Sequence, residues 1–319
     1  MTSVHTVRPT DLAALVAYNG RVYPNEAVTR DRIGTQMSPH PLETALEQWF
    51  SFATGRHTWI SVKGATLRAL ASARKRGSNA AWEVDCLIDA DNDEAGVLLS
   101  LLDQMASDAG RAGAEKVFLR VAAESPMVQV ATRCGFVPYL REHLLAVEGT
   151  VDKASASPTG GAALRRWGRA DAYPAFRLYN RCTPELVRRR EAITFREWNA
   201  ARERISPPRG TRQWVLERED RIDGWLRIAA AGELGRFDLM ADPDQPDLLD
   251  PLIDSAIRRL SEQSALITLV PEFAGELRSR VERRGFFDRG EFVVLVRRTA
   301  RPVEEPQPAT AVPVQSFPA

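Results

Sequence analysis

Residues 116–147, KVFLRVAAESPMVQVATRCGFVPYLREHLLAV, are the stretch of sequence that decides the fold. The apolar run 117–121 is too short for a helix and predicts a buried strand. Apolar residues then recur at helical spacing over residues 124–134, and Gly135 stands where a helix takes a left-handed stop. Residues 142–147 predict a second strand. The local order is therefore strand, helix, Gly-Phe, strand.

The same order returns one half-chain later. Residues 266–270 predict a strand, residues 272–284 a helix, and residues 291–296 a strand that follows Gly285 and Phe286. Other landmarks recur in the same order, namely Tyr18 with Tyr179, Trp49 with Trp198, and Trp59 with Trp214. So many matched positions indicate an internal duplication.

Each half also predicts a three-stranded meander followed by a helix. In the first half these are residues 57–62, 66–74, 81–88 and 97–109, and in the second half residues 211–217, 224–230, 236–240 and 248–260. Helical spacing over residues 12–18 and 42–52 predicts two further helices near the start. We expect a first domain over 1–148, a linker over 149–162 that is rich in small residues, a second domain over 163–300, and a disordered Pro-rich tail over 301–319.

Length and composition set limits on the class of protein. The 319 residues are 44% hydrophobic, which is enough to give two domains a core each. The first residues contain no apolar run of the length found in signal peptides, and no later apolar run is long enough for a membrane helix. The sequence therefore predicts a cytoplasmic protein that does not contact a membrane. Three widely spaced cysteines predict neither disulfides nor a metal site, and a net charge of +1 gives no global field for nucleic acid.

This order of elements resembles the GNAT (GCN5-related N-acetyltransferase) fold, in two copies. The resemblance implies an α/β (α+β) architecture of two tandem GNAT-fold domains, each a mixed, mostly antiparallel sheet with a splayed parallel pair flanked by helices. In that family the splayed strands admit the pantetheine arm of acetyl-CoA. Amides at the start of the next helix hold its diphosphate, because a helix N-terminus favours an anion.

The family's diphosphate loop is only partly present. In the first copy Gly96 alone matches its Gln/Arg-x-x-Gly-x-Gly/Ala pattern, while acidic residues such as Asp91 and Glu94 fall beside the diphosphate. In the second copy residues 245–251 have no glycine and add two prolines, each of which lacks an amide donor. The resemblance therefore favours the first copy as the one that binds acetyl-CoA, through Leu87, Ile88, Asp89, Glu94, Ala95, Gly96, Val97 and Glu124.

The family's usual catalytic pair is missing from both copies. Its cofactor-binding Asn falls on Glu124 and Ala274, and its proton-donating Tyr falls on Ala131 and Val281. A carboxylate that accepts an amine proton is expected at Glu83 or Asp85 on the third strand of the meander, and Tyr139 is the nearby phenol that could replace the missing acid. Each of these also fits a purely structural role, as does Cys134, which follows the helix and is less suited to act as a nucleophile.

Two functions follow from this sequence. The first is an acetyl-CoA-dependent N-acetyltransferase that acts on a small-molecule or peptide amine, with the first copy active, as a monomer or a homodimer. The second is a binding or structural protein built from two inactive copies. An arginine-rich region from Arg177 to Arg204 could bind a phosphate-bearing partner, although interspersed glutamates also fit a salt-bridged surface.

Overall fold

The computed structural model describes residues 3–6, 24–33, 56–63, 66–90, 95–149, 164–202 and 211–300. The predicted helices over 12–18 and 42–52, almost all of the linker and the predicted disordered tail lie outside these ranges. No helix within them is long and apolar enough to span a bilayer.

The first half contains six strands and two helices among its described residues. Turn residues separate the meander strands, and the apolar faces of the helices pack on the sheet. In chain order the elements are β1 (Ser3–Thr6), β2 (Arg56–Lys63), β3 (Thr66–Lys75), β4 (Ala81–Asp89), α1 (Ala95–Arg111), β5 (Lys116–Ala122), α2 (Met127–Arg133) and β6 (Val137–Glu148).

The second half repeats this order among the described residues, and short helices precede its meander. The elements are β7 (Leu164–Arg166), a 3-10 turn (Arg169–Asp171), α3 (Ala172–Cys182), α4 (Glu185–Glu191), α5 (Phe195–Ala201), β8 (Arg212–Arg218), β9 (Arg221–Ala231), β10 (Leu234–Ala241), a 3-10 turn (Pro246–Leu248), α6 (Leu249–Arg259), β11 (Ala265–Pro271), α7 (Gly275–Glu282) and β12 (Phe287–Arg298). The predicted fold class is thereby confirmed in its mixed sheet and flanking helices. The division into two domains at residues 149–162 stays a prediction.

Glycines end the helices of both Gly-Phe units as the sequence predicts. Gly135 has φ of +79° and Gly285 has φ of +85°, a conformation that side chains with a Cβ rarely adopt. The helices before them are shorter than predicted, since α2 starts at Met127 and α7 starts at Gly275. The closing strands are longer than predicted, because β6 and β12 each start with the residue that follows the Phe of the Gly-Phe pair.

The two halves exchange their closing strands. The described strands form one sheet in the order β1-β2-β3-β4-β5-β12-β6-β11-β10-β9-β8-β7. Thus β12 of the second half pairs antiparallel with β5 of the first, and β6 of the first half pairs antiparallel with β11 of the second. The expectation that each Gly-Phe unit closes its own copy is wrong, because each copy's last strand completes the sheet of the other.

Further contacts fix the second half's short helices against the first half. Lys116 at the start of β5 donates to Glu197 on α5 over 2.9 Å and to the main-chain oxygen of Glu191 over 2.9 Å. The turn at Gly77 packs against the backbone of Ala200 so closely that a Cβ would lie 2.2 Å from its oxygen. The two halves therefore share one sheet and one packed interface.

Candidate functional site

Both parallel strand pairs diverge after a few residues, as the resemblance implied. Strands β4 and β5 are in register only from Ala81 to Glu83, although β4 continues to Asp89. Strands β10 and β11 are in register only from Leu234 to Phe237. Each half therefore has a crevice between the carboxyl ends of two parallel strands, where main-chain groups lack a neighbouring strand.

In the first half, residues 24–33 of the chain fill this crevice. The amide of Glu26 donates to the carbonyl of Leu87 on β4, and the amide of Val28 donates to the carbonyl of Arg120 on β5, each over 2.8 Å. Asn25 accepts a hydrogen bond from the amide of Leu87 over 2.8 Å. The segment therefore takes the main-chain positions that a ligand between the strands would use.

The predicted cofactor-binding residues lie around this filled crevice. Leu87, Ile88 and Val97 are buried, and Glu124 is exposed in the turn after β5. Burial, and then the nearby Glu26 carboxylate, raise the pKa of Asp89. Ala95 begins α1, Gly96 faces open space, and Glu94 lies outside the described residues. These residues do not surround an open channel between β4 and β5.

The predicted catalytic carboxylates are held by ion pairs. Glu83 lies 3.2 Å from Arg74. Asp85 is fully buried, lies 2.5 Å from Arg56, and accepts a hydrogen bond from the hydroxyl of Ser72 over 2.6 Å. Both carboxylates are therefore compensated by a cation.

In the second half the crevice is open. A cavity of about 390 Å³ lies where β10 and β11 diverge. Leu239, Met240 and Ala241 of β10 and Leu269 and Pro271 of β11 line it. Tyr139 on β6 also lines this cavity, whereas Glu83 and Asp85 do not. The structure therefore separates the three residues that the sequence placed in one catalytic site.

Residues from both faces of the sheet line this cavity. Leu239 packs on one face with the core beneath α6 and α7, while its neighbour Met240 packs on the other face against α3 and α5, as alternation along a strand requires. The lining includes residues from both sides, namely Ala175, Tyr179, Cys182, Val187 and Trp198 on one, and Leu249, Ala274, Gly275 and Leu277 on the other. The cavity therefore borders both faces of the sheet between the diverging strands.

A buried charge network forms one wall of the cavity. Glu142 on β6 accepts hydrogen bonds from Arg120 over 2.8 Å and Arg30 over 2.7 Å. Asp238 on β10 accepts from Arg227 over 3.0 Å and also from Arg30. Burial alone would raise the pKa of Asp238, but the neighbouring arginines lower it. Each carboxylate therefore contacts two arginines, and the lowered pKa of Asp238 makes that group a poor proton acceptor.

A phenol and a carboxylate face the cavity from the α3 and α4 side. The hydroxyl of Tyr179 donates to Glu191 over 3.2 Å. Burial, followed by the charge of Glu191, raises the pKa of Tyr179, so its hydroxyl stays protonated at neutral pH. Arg76 lies 3.4 Å from the same carboxylate. Glu191 therefore contacts both a phenol and an arginine at this cavity.

Cys182 lines the same side of the cavity as a free thiol. Its sulfur lies 3.0 Å from the carbonyl oxygen of Ala241. Burial, and then the charge of Asp242, raise the pKa of this thiol to about 12. Cys182 is therefore protonated and not a nucleophile. The same holds for Cys134, whose pKa burial also raises.

The start of α6 does not fit a coenzyme diphosphate. The amides of Gln245 and Leu248 donate to main-chain oxygens, and the amide of Asp244 donates to the carboxylate of Asp242. Pro243 and Pro246 have no amide hydrogen. A diphosphate here would meet spent donors and several carboxylates, so the usual acetyl-CoA cradle is not formed.

The arginine-rich helices have mixed contacts. Arg189 pairs with Glu185 over 2.5 Å on the exposed side of α4. Arg188 donates to the main-chain oxygen of Thr183 over 3.1 Å. Arg196 lies 3.5 Å from Glu115. These three arginines therefore have partners within the protein. Their contacts fit the salt-bridged surface that the sequence left open as the alternative to phosphate binding.

Comparison with solved structures identifies the fold. A tandem GNAT protein from the clavulanic acid biosynthesis pathway superimposes with a TM-score of 0.51 at 13% identity, over 93% of this chain and 98% of that one. The chain has the GNAT fold. A GCN5-related N-acetyltransferase from Sphaerobacter thermophilus gives a TM-score of 0.51 at 16% identity, over 94% of this chain and 96% of that one. A putative acetyltransferase from Pyrococcus horikoshii gives 0.50 at 12% identity, over 93% of this chain and 89% of that one.

Sequence comparisons add no closer relative. No family model matches the chain, and no curated protein matches it. The GNAT fold is therefore recognised from its three-dimensional arrangement, since the degenerate loop motifs leave few residues that a sequence comparison could detect.

Sequence reasoning missed the residues that fill the first-half crevice and those that shape the second-half cavity of this GNAT fold. Arg30 and Asn25 lie in a short segment without periodicity, so nothing local links them to strands more than fifty residues away. Tyr179 and Glu191 are twelve residues apart on consecutive helices, and only the packing of α3 against α4 brings them together. The sequence signal for Tyr179 is its repetition as Tyr18 and Tyr179, but that repetition indicates only the duplication and not a place in the cavity.

Proposed function

We propose that this protein is an N-acyltransferase that transfers an acyl group from a thioester to an amine inside the second-half cavity. The observation that supports this proposal is the cavity, lined from both faces of the sheet, where β10 and β11 diverge. The fold's usual chemistry needs a space that both substrates can reach, because donor and acceptor must be held together at one reacting carbon. The sequence favoured the first half for this role, but the filled crevice between β4 and β5 moves the proposal to the second.

The side chains of the cavity suggest how an amine would be activated. A reactive amine must lose a proton, and a carboxylate within hydrogen-bond reach is a suitable acceptor. Glu142 and Asp238 each accept from two arginines, whereas Glu191 accepts from the Tyr179 hydroxyl, lies 3.4 Å from Arg76 and faces the cavity. We assign the proton acceptor to Glu191 and a positioning role to Tyr179. The C–N bond forms as the C–S bond of the thioester breaks, and Glu191 passes the amine proton to the departing thiolate, which leaves as a thiol.

The donor would bind chiefly through its pantetheine-like chain. A cradle that supplies two charge-assisted hydrogen bonds to a diphosphate is worth about 3–6 kcal/mol, which corresponds to about 10²–10⁴-fold in affinity. Because the start of α6 lacks such a cradle, acetyl-CoA and acetyl-pantetheine should bind with dissociation constants within about threefold of each other.

Calorimetric titration with both thioesters tests this proposal, and thiol release in the presence of a panel of primary amines tests turnover. We expect both thioesters to bind and at least one amine to accelerate thiol release. Replacing Glu191 by Gln should lower that rate by about 10²-fold or more while leaving thioester affinity unchanged. The absence of binding by both thioesters at millimolar concentration would remove the acyltransferase.

A second function is favoured by the spent amides at the start of α6. A GNAT-fold protein that cannot grip a coenzyme could use the cavity to bind a ligand without turnover. In that case a ligand would raise the melting temperature in proportion to the logarithm of its concentration over the dissociation constant. Stabilisation by an amine without thiol release from either thioester would favour this second function.

A further inference from the structure

Arg202 is a cation at the edge of the second-half cavity. It follows α5 directly and lines the cavity. Its guanidinium carbon lies 5.1 Å from the ring centre of Trp198 and 5.3 Å from that of Trp167. Two tryptophan faces therefore fix the plane of the guanidinium, while its edge carries the N–H donors.

The donors of Arg202 are poorly used. Its Nη2 lies 3.4 Å from the side-chain oxygen of Gln213, and that oxygen already accepts a hydrogen bond of 3.1 Å from the indole of Trp225. A guanidinium has five N–H groups, so among the described residues one long shared bond leaves most of them without an acceptor. Within the described ranges, no carboxylate forms an ion pair with Arg202.

The neighbouring arginines of the cavity differ from Arg202 in this respect. Arg227 pairs with Asp238 over 2.9 Å, and Arg30 pairs with Glu142 over 2.7 Å. Burial, followed by the positive charge of Arg227, lowers the pKa of Arg202. A guanidinium stays protonated at neutral pH even so. The cavity therefore contains a half-buried cation that forms no ion pair with a carboxylate in the part of the chain that the structure describes.

We propose that Arg202, between Trp167 and Trp198, is an anion subsite of this cavity, so that its ligand carries a carboxylate or a phosphate. The inference rests on the proposed function for the ligand's role: the acceptor is then a primary amine that also carries an anionic group. A bidentate contact from the guanidinium edge suits either anion. The aromatic walls suit an apolar body between the amine and the protein surface.

Stacking on two tryptophans could by itself hold Arg202 in place, and binding measurements separate this structural role from an anion subsite. Two matched pairs of amines serve as probes, L-phenylalanine with L-phenylalaninamide for a carboxylate and O-phosphoethanolamine with ethanolamine for a phosphate. Each is titrated calorimetrically into the full chain without any thioester. The variants are Arg202→Gln, Arg202→Lys and the control Arg212→Gln, since Arg212 is an exposed residue of β8 outside the cavity lining.

We expect the anionic member of at least one pair to bind the wild-type protein about tenfold or more tightly than its neutral partner. Arg202→Gln should remove this preference, Arg202→Lys should keep part of it, and Arg212→Gln should leave it unchanged. Any of three results would overturn the inference. They are equal binding within both pairs, no binding by either anionic probe at millimolar concentration, and a preference that survives in Arg202→Gln. If Arg202→Gln does not fold, Arg202→Lys decides the matter. A partial loss of the anion preference in Arg202→Lys then supports the subsite, because an arginine that only stacks on the tryptophans would not affect that preference. An anion preference without thiol release in any assay would refute only the acyltransferase.

Discussion

Replacing Asn25 by Ala removes the side chain that ties residues 24–33 into the first-half crevice. Its oxygen accepts from the amides of Leu87 over 2.8 Å and Ala27 over 3.0 Å, and its amide group donates to the carbonyl of Asp85 over 3.1 Å. That carbonyl keeps a second donor, Arg32, over 2.8 Å, but the amides of the buried residues Leu87 and Ala27 both lose their acceptor. Each orphaned buried donor costs about 1–3 kcal/mol. The free energy of unfolding should therefore fall by about 2–6 kcal/mol.

Urea unfolding followed by circular dichroism measures this loss. Asn199→Ala is the matched control, because Asn199 is exposed on α5 and its replacement should change stability by no more than about 0.5 kcal/mol. If Asn25→Ala unfolds at the same urea concentration as the wild-type protein with the same slope, residues 24–33 do not hold the crevice closed, and the reasoning fails.

Two further predictions concern the interface between the halves. Burial alone would raise the pKa of Glu197, but hydrogen bonds led by that from Lys116 lower it from 4.5 to about 2. The stabilising effect of the Glu197 carboxylate is therefore complete above pH 4.5 and is lost as the pH falls to about 2. Urea unfolding across this range should show that the difference in free energy of unfolding between wild type and Glu197→Gln shrinks with acidification. A constant difference would contradict the ion pair. Gly77→Ala would place a Cβ 2.2 Å from a backbone oxygen at the end of α5 and should destabilise the protein by about 1–3 kcal/mol in the same assay. Gly96→Ala is the control, because a Cβ there meets nothing within 4 Å and should not destabilise the protein. Equal stability of the two variants would refute this close approach.

Local features of this fold could be predicted from the sequence because they depend on neighbouring residues. The strand, helix and Gly-Phe order reflects apolar spacing and a glycine in the left-handed conformation, and both Gly135 and Gly285 adopt it. Trp59 and Trp214 are buried at 1% and 5% exposure, which agrees with their interpretation as shared core positions.

Long-range pairing could not be predicted in the same way. Strands β6 and β12 follow the same Gly-Phe signal and are both apolar, so either could pair with β5 or with β11 on sequence alone. The filling of the first crevice depends on Asn25 and Glu26, which a linear pattern does not connect to Leu87. The motif match at Gly96 favoured the first half, but main-chain groups of Leu87 and Arg120 between the diverging strands already have partners in the protein.

The most direct measurement of the central claim is thioester binding by two glycine variants. Gly275 opens α7 and lines the second-half cavity, while Gly96 lies in the first turn of α1 in the first half, and a Cβ at either position would meet nothing within 4 Å. Tryptophan at either position therefore adds bulk without an immediate clash. Calorimetric titration with acetyl-pantetheine should show no binding to Gly275→Trp and binding to Gly96→Trp within about twofold of the wild-type protein. Loss of binding in Gly96→Trp, with binding retained in Gly275→Trp, would contradict the account and return the site to the first half.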